Sequence, residues 1–274
     1  MKTIKDNHMK KIFSLVFGII VLVSCTKIKK QEVFLDSLSS NAVYQLLFKP
    51  QQIILNNECL WIPSVKDSTF SLSYDGYCHT TLDTTIYYHQ DGIDKAVIVF
   101  ANKEFDNGEQ IYLPFESVIV SIAIFEKATN GKWMLNRFEK SIGQNGTSAF
   151  RYSATNAFLY GEFNITNFGN HFFFCADFNE WGQGYSSDYS TYWHLPSLIE
   201  SLEMQTSSSD GGRYEGEEQT YYESSTRDAS EGNITKFILT KKGKKYIYEQ
   251  GQVSTLDSTE YILNDSCVFI QVKK

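Results

Sequence analysis

The first strong feature in the hydrophobic pattern is an apolar run at residues 12–23, interrupted only by Ser14 and Gly18 and preceded by the basic Met9-Lys10-Lys11. Its twelve residues fall short of the ~20 that a helix needs to cross a hydrocarbon core. Residues 35–49 are mixed, and 41–48 fit a short helix or a strand. Beyond that point the pattern is one of strands and turns. Short apolar runs at 52–55 and 58–62 flank Asn56-Asn57. Residues 70–74 alternate and then turn at Asp75-Gly76, and 85–89 alternate weakly before Asp91-Gly92. Residues 95–101 form a nearly continuous apolar run, as in a strand buried on both faces.

The clearest hairpin comes next, with a strand at 118–127, a turn at Thr129-Asn130-Gly131 and a return strand at 132–139. Asn-Gly between such runs favours a tight hairpin turn. Strands are also expected at 157–165, 170–178, 236–240, 244–249, 260–263 and 267–272. The best helix candidate is 191–204, with Pro196 near its start and Leu195, Ile199 and Leu202 recurring on one side. The polar stretch 206–212 ends it. Residues 207–231 read as a long acidic loop, or as a loop holding one hairpin at 220–224. Asn164-Ile165-Thr166-Asn167-Phe168 is echoed by Asn233-Ile234-Thr235-Lys236-Phe237, which suits sheets built from recurring hairpins.

The basic start and short apolar run are the marks of a signal peptide. They lead into Leu22-Val23-Ser24-Cys25, which resembles the lipobox of bacterial lipoproteins. That resemblance implies cleavage before Cys25 and acylation of its thiol. Each buried CH₂ of an acyl chain contributes about 0.8 kcal/mol, so several chains together anchor a protein stably. The alternative is an ordinary buried Cys at the end of a core helix. Met1 or Met9 can serve as the start. The expected layout is a signal peptide at 1–24, a polar tether at 25–34, and a single β-rich domain at 35–274. No acidic run follows Cys25, which favours the periplasmic side of the outer membrane, with the cell surface as the alternative.

Composition changes the picture in two ways. The whole chain carries a formal −7. Cleavage removes four lysines and one aspartate, taking the mature chain to −10. So acidic a body argues against nucleic-acid binding through a basic face. Aromatic residues make up 15% of the chain, which favours strands. It also admits stacking on sugars, although a β-rich core is the commoner reason. Four cysteines remain after Cys25, namely Cys59, Cys78, Cys175 and Cys267. An exported compartment permits disulfides. Four cysteines allow three connectivities, and Cys59 with Cys78 is the closest pair along the chain and the favoured one.

No motif in the chain specifies a catalytic chemistry. There is no G-x-S-x-G elbow, no H-E-x-x-H pair and no Walker or Rossmann glycine pattern. The histidines are isolated and no CxxC pair exists, so neither a metal nor a cofactor is expected. Asp106-Asn107-Gly108-Glu109 and 210–218 offer oxygen ligands without the order of a Ca²⁺ loop. The densest aromatic and acidic patch combines Trp181, Tyr185, Tyr192 and Trp193 with Glu180, Asp188 and Glu200. It reads as a glycan-stacking surface, or as an aromatic minicore where a helix packs on a sheet. Asp36-Ser37-Leu38, Asp67-Ser68-Thr69, Asp83-Thr84-Thr85 and Asp257-Ser258-Thr259 resemble acceptors for O-glycosylation in exported bacterial proteins.

The order of an apolar strand at 96–100, Ile122-Ala123-Ile124-Phe125-Glu126-Lys127, Gly131-Lys132-Trp133, the segment 139–146 and Gln183-Gly184-Tyr185 resembles a group of uncharacterised exported β-rich bacterial proteins. The resemblance covers roughly 96–185. It departs at 107–115, where some of that group carry a Cys pair, and it implies no activity. The expected fold is all-β and mostly antiparallel, in sandwich or propeller-like sheets, with one or two short helices. The expected function is a lipid-anchored envelope protein that binds a protein or glycan partner without catalysis. The alternatives are a glycan-acting hydrolase using carboxylates near Trp181, and a periplasmic immunity protein.

Overall fold

A computed structural model of the chain describes residues 33–54, 58–64, 76–106, 109–110, 118–145, 163–182, 185–210, 219–247 and 251–272. Cys25 and tether residues 25–32 lie outside these residues, as do Asp75 of the expected turn, the strand start at 157–162 and the acceptor-like Asp67-Ser68-Thr69, whereas Phe34 at the end of the expected tether already belongs to the first strand. Phe34–Lys274 form one compact unit. Among the described residues no helix is long and apolar enough to cross a membrane.

The first sheet contains Phe34–Leu35 (β1), Gln52–Ile54 (β2), Glu58–Trp61 (β3), Tyr77–Gln90 (β4), Ile93–Asp106 (β5), Glu109–Gln110 (β6), Val118–Lys127 (β7) and Trp133–Asn145 (β8). Its order is β1-β8-β7-β5-β4-β3-β2, with β6 paired to β5. The turns are those the sequence chose. Asp91 and Gly92 take φ of +54° and +77° between β4 and β5, as a type I′ turn requires. Gly131 takes φ +80°, and Asn130 Oδ1 accepts the Lys132 N–H at 3.0 Å.

The helix Ser40–Leu47 (α1) covers the outer face of this sheet. Ser39 caps it, accepting from the Ala42 N–H at 3.4 Å. Pro50 cannot continue it, and Lys49 turns out at φ +48°. Its Val43 and Tyr44 pack on Trp61, Ile98, Phe100 and Phe125. The Tyr44 hydroxyl accepts the Leu82 N–H at 2.6 Å, beside a bulge in β4 between Leu82 and Thr84.

The second sheet is a plain meander of Phe163–Phe168 (β9), His171–Gly182 (β10), Tyr185–Leu195 (β11), Ile199–Asp210 (β12), Gln219–Asp228 (β13), Lys236–Ile247 (β14), Gly251–Leu263 (β15) and Phe269–Gln271 (β16). The two sheets pack face to face. Val97, Val99, Ile122 and Ile124 of the first meet Phe174, Ala176, Trp193 and Leu195 of the second. Residues 96–100 are fully buried, because the even ones face α1 and the odd ones face the second sheet. The architecture is therefore an antiparallel all-β sandwich rather than a radial stack.

The second sheet also curls on itself. Phe168 at its first edge stacks on Phe237 of β14 at 4.8 Å and meets Phe269 of β16 edge-on at 5.7 Å. Asp228 accepts the Gly169 N–H at 3.1 Å, which ties the β9–β10 turn to the end of β13. This curl creates a concave face with its own aromatic cluster, made of Phe168, Phe173, Tyr192, Phe237 and Phe269.

Three expectations are corrected here. Residues 191–204 are not a helix but the end of β11, a turn and the start of β12. The apolar spacing that suggested a helix does not mark one face. Leu195 is in the core between the sheets, Ile199 is exposed, and Leu202 packs on the concave cluster. Residues 207–231 are not one long loop, since β12 runs to Asp210 and β13 covers Gln219–Asp228. Residues 236–240 and 244–249 are not separate strands, because β14 runs unbroken from Lys236 to Ile247.

Candidate functional site

A polar cup opens on the concave face of the curled sheet. Five successive strands line it, each with residues two apart, the spacing that puts side chains on one face of a strand. These are Asn164 and Thr166 from β9, Cys175 and Asp177 from β10, Ser190 and Tyr192 from β11, Met204 and Thr206 from β12, and Ser224 and Thr226, with Ser225 between them, from β13. The cup has a volume of about 320 Å³, at the lower end of the roughly 300–1,000 Å³ of small-molecule sites. Cys175, Tyr192 and Met204 also belong to the aromatic cluster, so the floor of the cup rests on the packed core of this face. The rest is a field of hydroxyls around one carboxylate.

Register sets the centre of the cup. Asp177 stands opposite Ser190, and Cys175 stands opposite Tyr192. The Ser190 hydroxyl donates to Asp177 Oδ1. The Cys175 thiol points at the same oxygen from 3.7 Å. Burial raises the Cys175 pKa well above its ordinary value, and the Asp177 charge raises it further. Burial likewise raises that of the Tyr192 phenol, with Cys175 and Asp177 adding to the effect. Both groups therefore stay protonated at neutral pH and act as hydrogen-bond donors. A thiol held in that form is a poor nucleophile.

The aromatic patch expected from the sequence is not one platform. Tyr192 and Trp193 are neighbours on β11 and face opposite sides. Tyr192 lines the cup, whereas Trp193 is buried in the core between the sheets. Trp181 ends β10 and Tyr185 begins β11, but their side chains, like that of Glu180, lie outside the described residues. Asp188 pairs with Ser207, and Glu200 pairs with Trp193. Those positions are five residues apart on β11, about 17 Å along the strand. Glycosidases place their two carboxyls roughly 5–9.5 Å apart, so Asp188 and Glu200 do not form such a pair.

The expected Cys59–Cys78 disulfide is not formed, and all four described cysteines are thiols. Cys59 stands opposite Thr80, and Cys78 stands opposite Trp61. The two thiols therefore occupy one diagonal of a cross-strand square, where separations run to roughly 7–8 Å and exceed the usual reach of a disulfide. Trp61 Nε1 donates to Thr80 Oγ1 at 2.7 Å along the other diagonal. Burial pushes the Cys59 thiol up to about 12. Both residues serve as small apolar fillers in the core under α1.

Sequence reading missed Asp177 and Ser190. The available signal was the alternation Phe173, Cys175, Asp177 along one face of a strand, where a carboxylate follows two residues that bury. A second polar cluster was also missed. His171 Nδ1 and His194 Nε2 are 2.9 Å apart, and His194 Nδ1 lies 2.8 Å from Ser197 Oγ. Burial, with a contribution from His171, lowers the His194 pKa. Among the described residues no three His, Cys, Asp or Glu side chains converge on a metal position. No family model, curated protein or solved structure matches the chain.

Proposed function

We propose that this protein is an envelope lipoprotein, anchored through lipid on Cys25, whose curled second sheet binds a small hydroxyl-rich ligand such as a glycan, without catalysing a reaction on it. The lipobox and the short apolar run support the anchor. The cup carries the binding reading. Hydroxyl and amide side chains converge there from four of the five strands, beside the thiol and carboxylate of the fifth, and sugars are recognised by such convergent polar groups. Binding is favoured over catalysis because, among the described lining residues, the one thiol is held protonated and the one carboxylate accepts a hydrogen bond from the Ser190 hydroxyl instead of facing a second carboxylate.

The test is calorimetric titration of envelope and dietary oligosaccharides into the mature chain and into Thr226→Trp. Thr226 is an exposed strand residue at the rim of the cup, so the larger ring should narrow the mouth without disturbing the core. The expected result is saturable binding that weakens roughly tenfold or more in the variant, a loss of at least ~1.4 kcal/mol. Binding that is unchanged in Thr226→Trp would place the ligand elsewhere. Turnover of a bound glycan would overturn the non-catalytic reading.

A further inference from the structure

We infer that the ligand of this cup carries a protonated amine beside its hydroxyls, with Asp177 as its counter-ion, as in an amino sugar. The inference rests on the cup being a ligand site. Among the described residues that line it, Asp177 is the single charged side chain. Its Oδ1 collects the Ser190 hydroxyl and, more distantly, the Cys175 thiol. Both donors are neutral, and no Lys, Arg or His of the described residues pairs with Asp177.

A carboxylate in a partly enclosed site with only neutral donors favours a cation, because a hydrogen bond between opposite charges is about twice as strong as a neutral one. The hydroxyls of Thr166 and Thr206 are donors and acceptors, and those of Ser190 and Ser224, which donate to Asp177 and to the Thr206 carbonyl, remain acceptors, a set that suits a polyol. An anionic ligand would meet the Asp177 charge with no cation among the described lining residues to offset it. A neutral sugar would use the hydroxyls and leave that charge unmatched. The combination therefore selects an ammonium group on a polyhydroxylated ring.

The test compares sugars that differ only at this group. Glucosamine against glucose, and galactosamine against galactose, are titrated calorimetrically into the mature chain in mildly acidic, low-salt buffer. The same titrations are run on Asp177→Asn, which keeps the shape and still accepts from Ser190. The expected result is that each amino sugar binds roughly tenfold more tightly than its neutral counterpart, that added salt erodes the difference, and that Asp177→Asn abolishes it while leaving neutral-sugar affinity within about twofold. Equal affinity for the paired sugars, or a preference that survives Asp177→Asn, overturns the amine assignment and leaves the cup as a site for neutral sugars. If all four sugars fail to bind a folded chain, the cup reading itself fails and the amine assignment falls with it.

Discussion

At the scale of single residues, a thread of buried polar groups crosses the first sheet under α1. Trp61 Nε1 donates to Thr80 Oγ1, and Thr80 donates onward to Asn102 Oδ1 at 2.6 Å. The Asn102 amide gives one hydrogen to the Ile119 carbonyl and the other to Ser121 Oγ, each at 2.7 Å. Ser121 then donates to the Lys140 carbonyl. Thr80, Asn102 and Ser121 are almost wholly buried, and each link fixes the direction of the next. Asn102→Leu removes three bonds and strands the Thr80 hydroxyl. It should lower stability by about 2–4 kcal/mol, read as a reduced midpoint in urea with an unchanged slope. None of these residues stands out in the sequence. A Thr, an Asn and a Ser in strands look like solvent-facing positions until the partner strands are known. Asp177 escaped notice for the same reason, since the hydroxyls that surround it come from other strands.

At the scale of elements, local signals were enough where one face of a strand is apolar and a turn residue is decisive. The hairpins at Asp91-Gly92 and Asn130-Gly131 were legible on those grounds. The signal failed in β12 and β13. Sequences such as Gln205-Thr206-Ser207-Ser208 and Thr220-Tyr221-Tyr222-Glu223 alternate between a polar cup and solvent, so neither face is apolar and the period of two is invisible. At 191–204 a chance apolar spacing imitated a helix, and the ladders of β11 with β10 and β12 override that weak preference. β14 runs through Gly243 without a break. The strand needs a glycine there, because a Cβ would sit 2.6 Å from the Tyr221 carbonyl oxygen and 2.9 Å from Tyr222 Cβ. Gly243→Ala must push β13 away from β14. It should destabilise by about 1–3 kcal/mol, measurable as a lower midpoint in thermal unfolding, whereas alanine at an ordinary strand glycine would be neutral or mildly stabilising.

At the scale of the whole molecule, the all-β class followed from strand periodicity and turn chemistry, both of them local. How the sheets stack and curl did not. Stacking depends on β5 and β7 being apolar on both faces, and the second of those faces finds its partners in β9, β10 and β11. Curling depends on Phe168 reaching Phe237 and Phe269, contacts between distant parts of the chain that no window of sequence displays. The cup is a product of that curl, so its residues could be read only once the meander had closed over them. In the proposed account, lipid on Cys25 holds this acidic sandwich at the envelope and the second sheet presents the cup to a small glycan. Heteronuclear NMR of the mature chain during glucosamine titration tests that account most directly. It predicts saturable amide shifts concentrated at Thr166, Cys175, Asp177, Ser190, Tyr192 and Thr206, while α1 and the core between the sheets stay unmoved. Shifts centred elsewhere, or none at any of these six residues at saturating sugar, would contradict it.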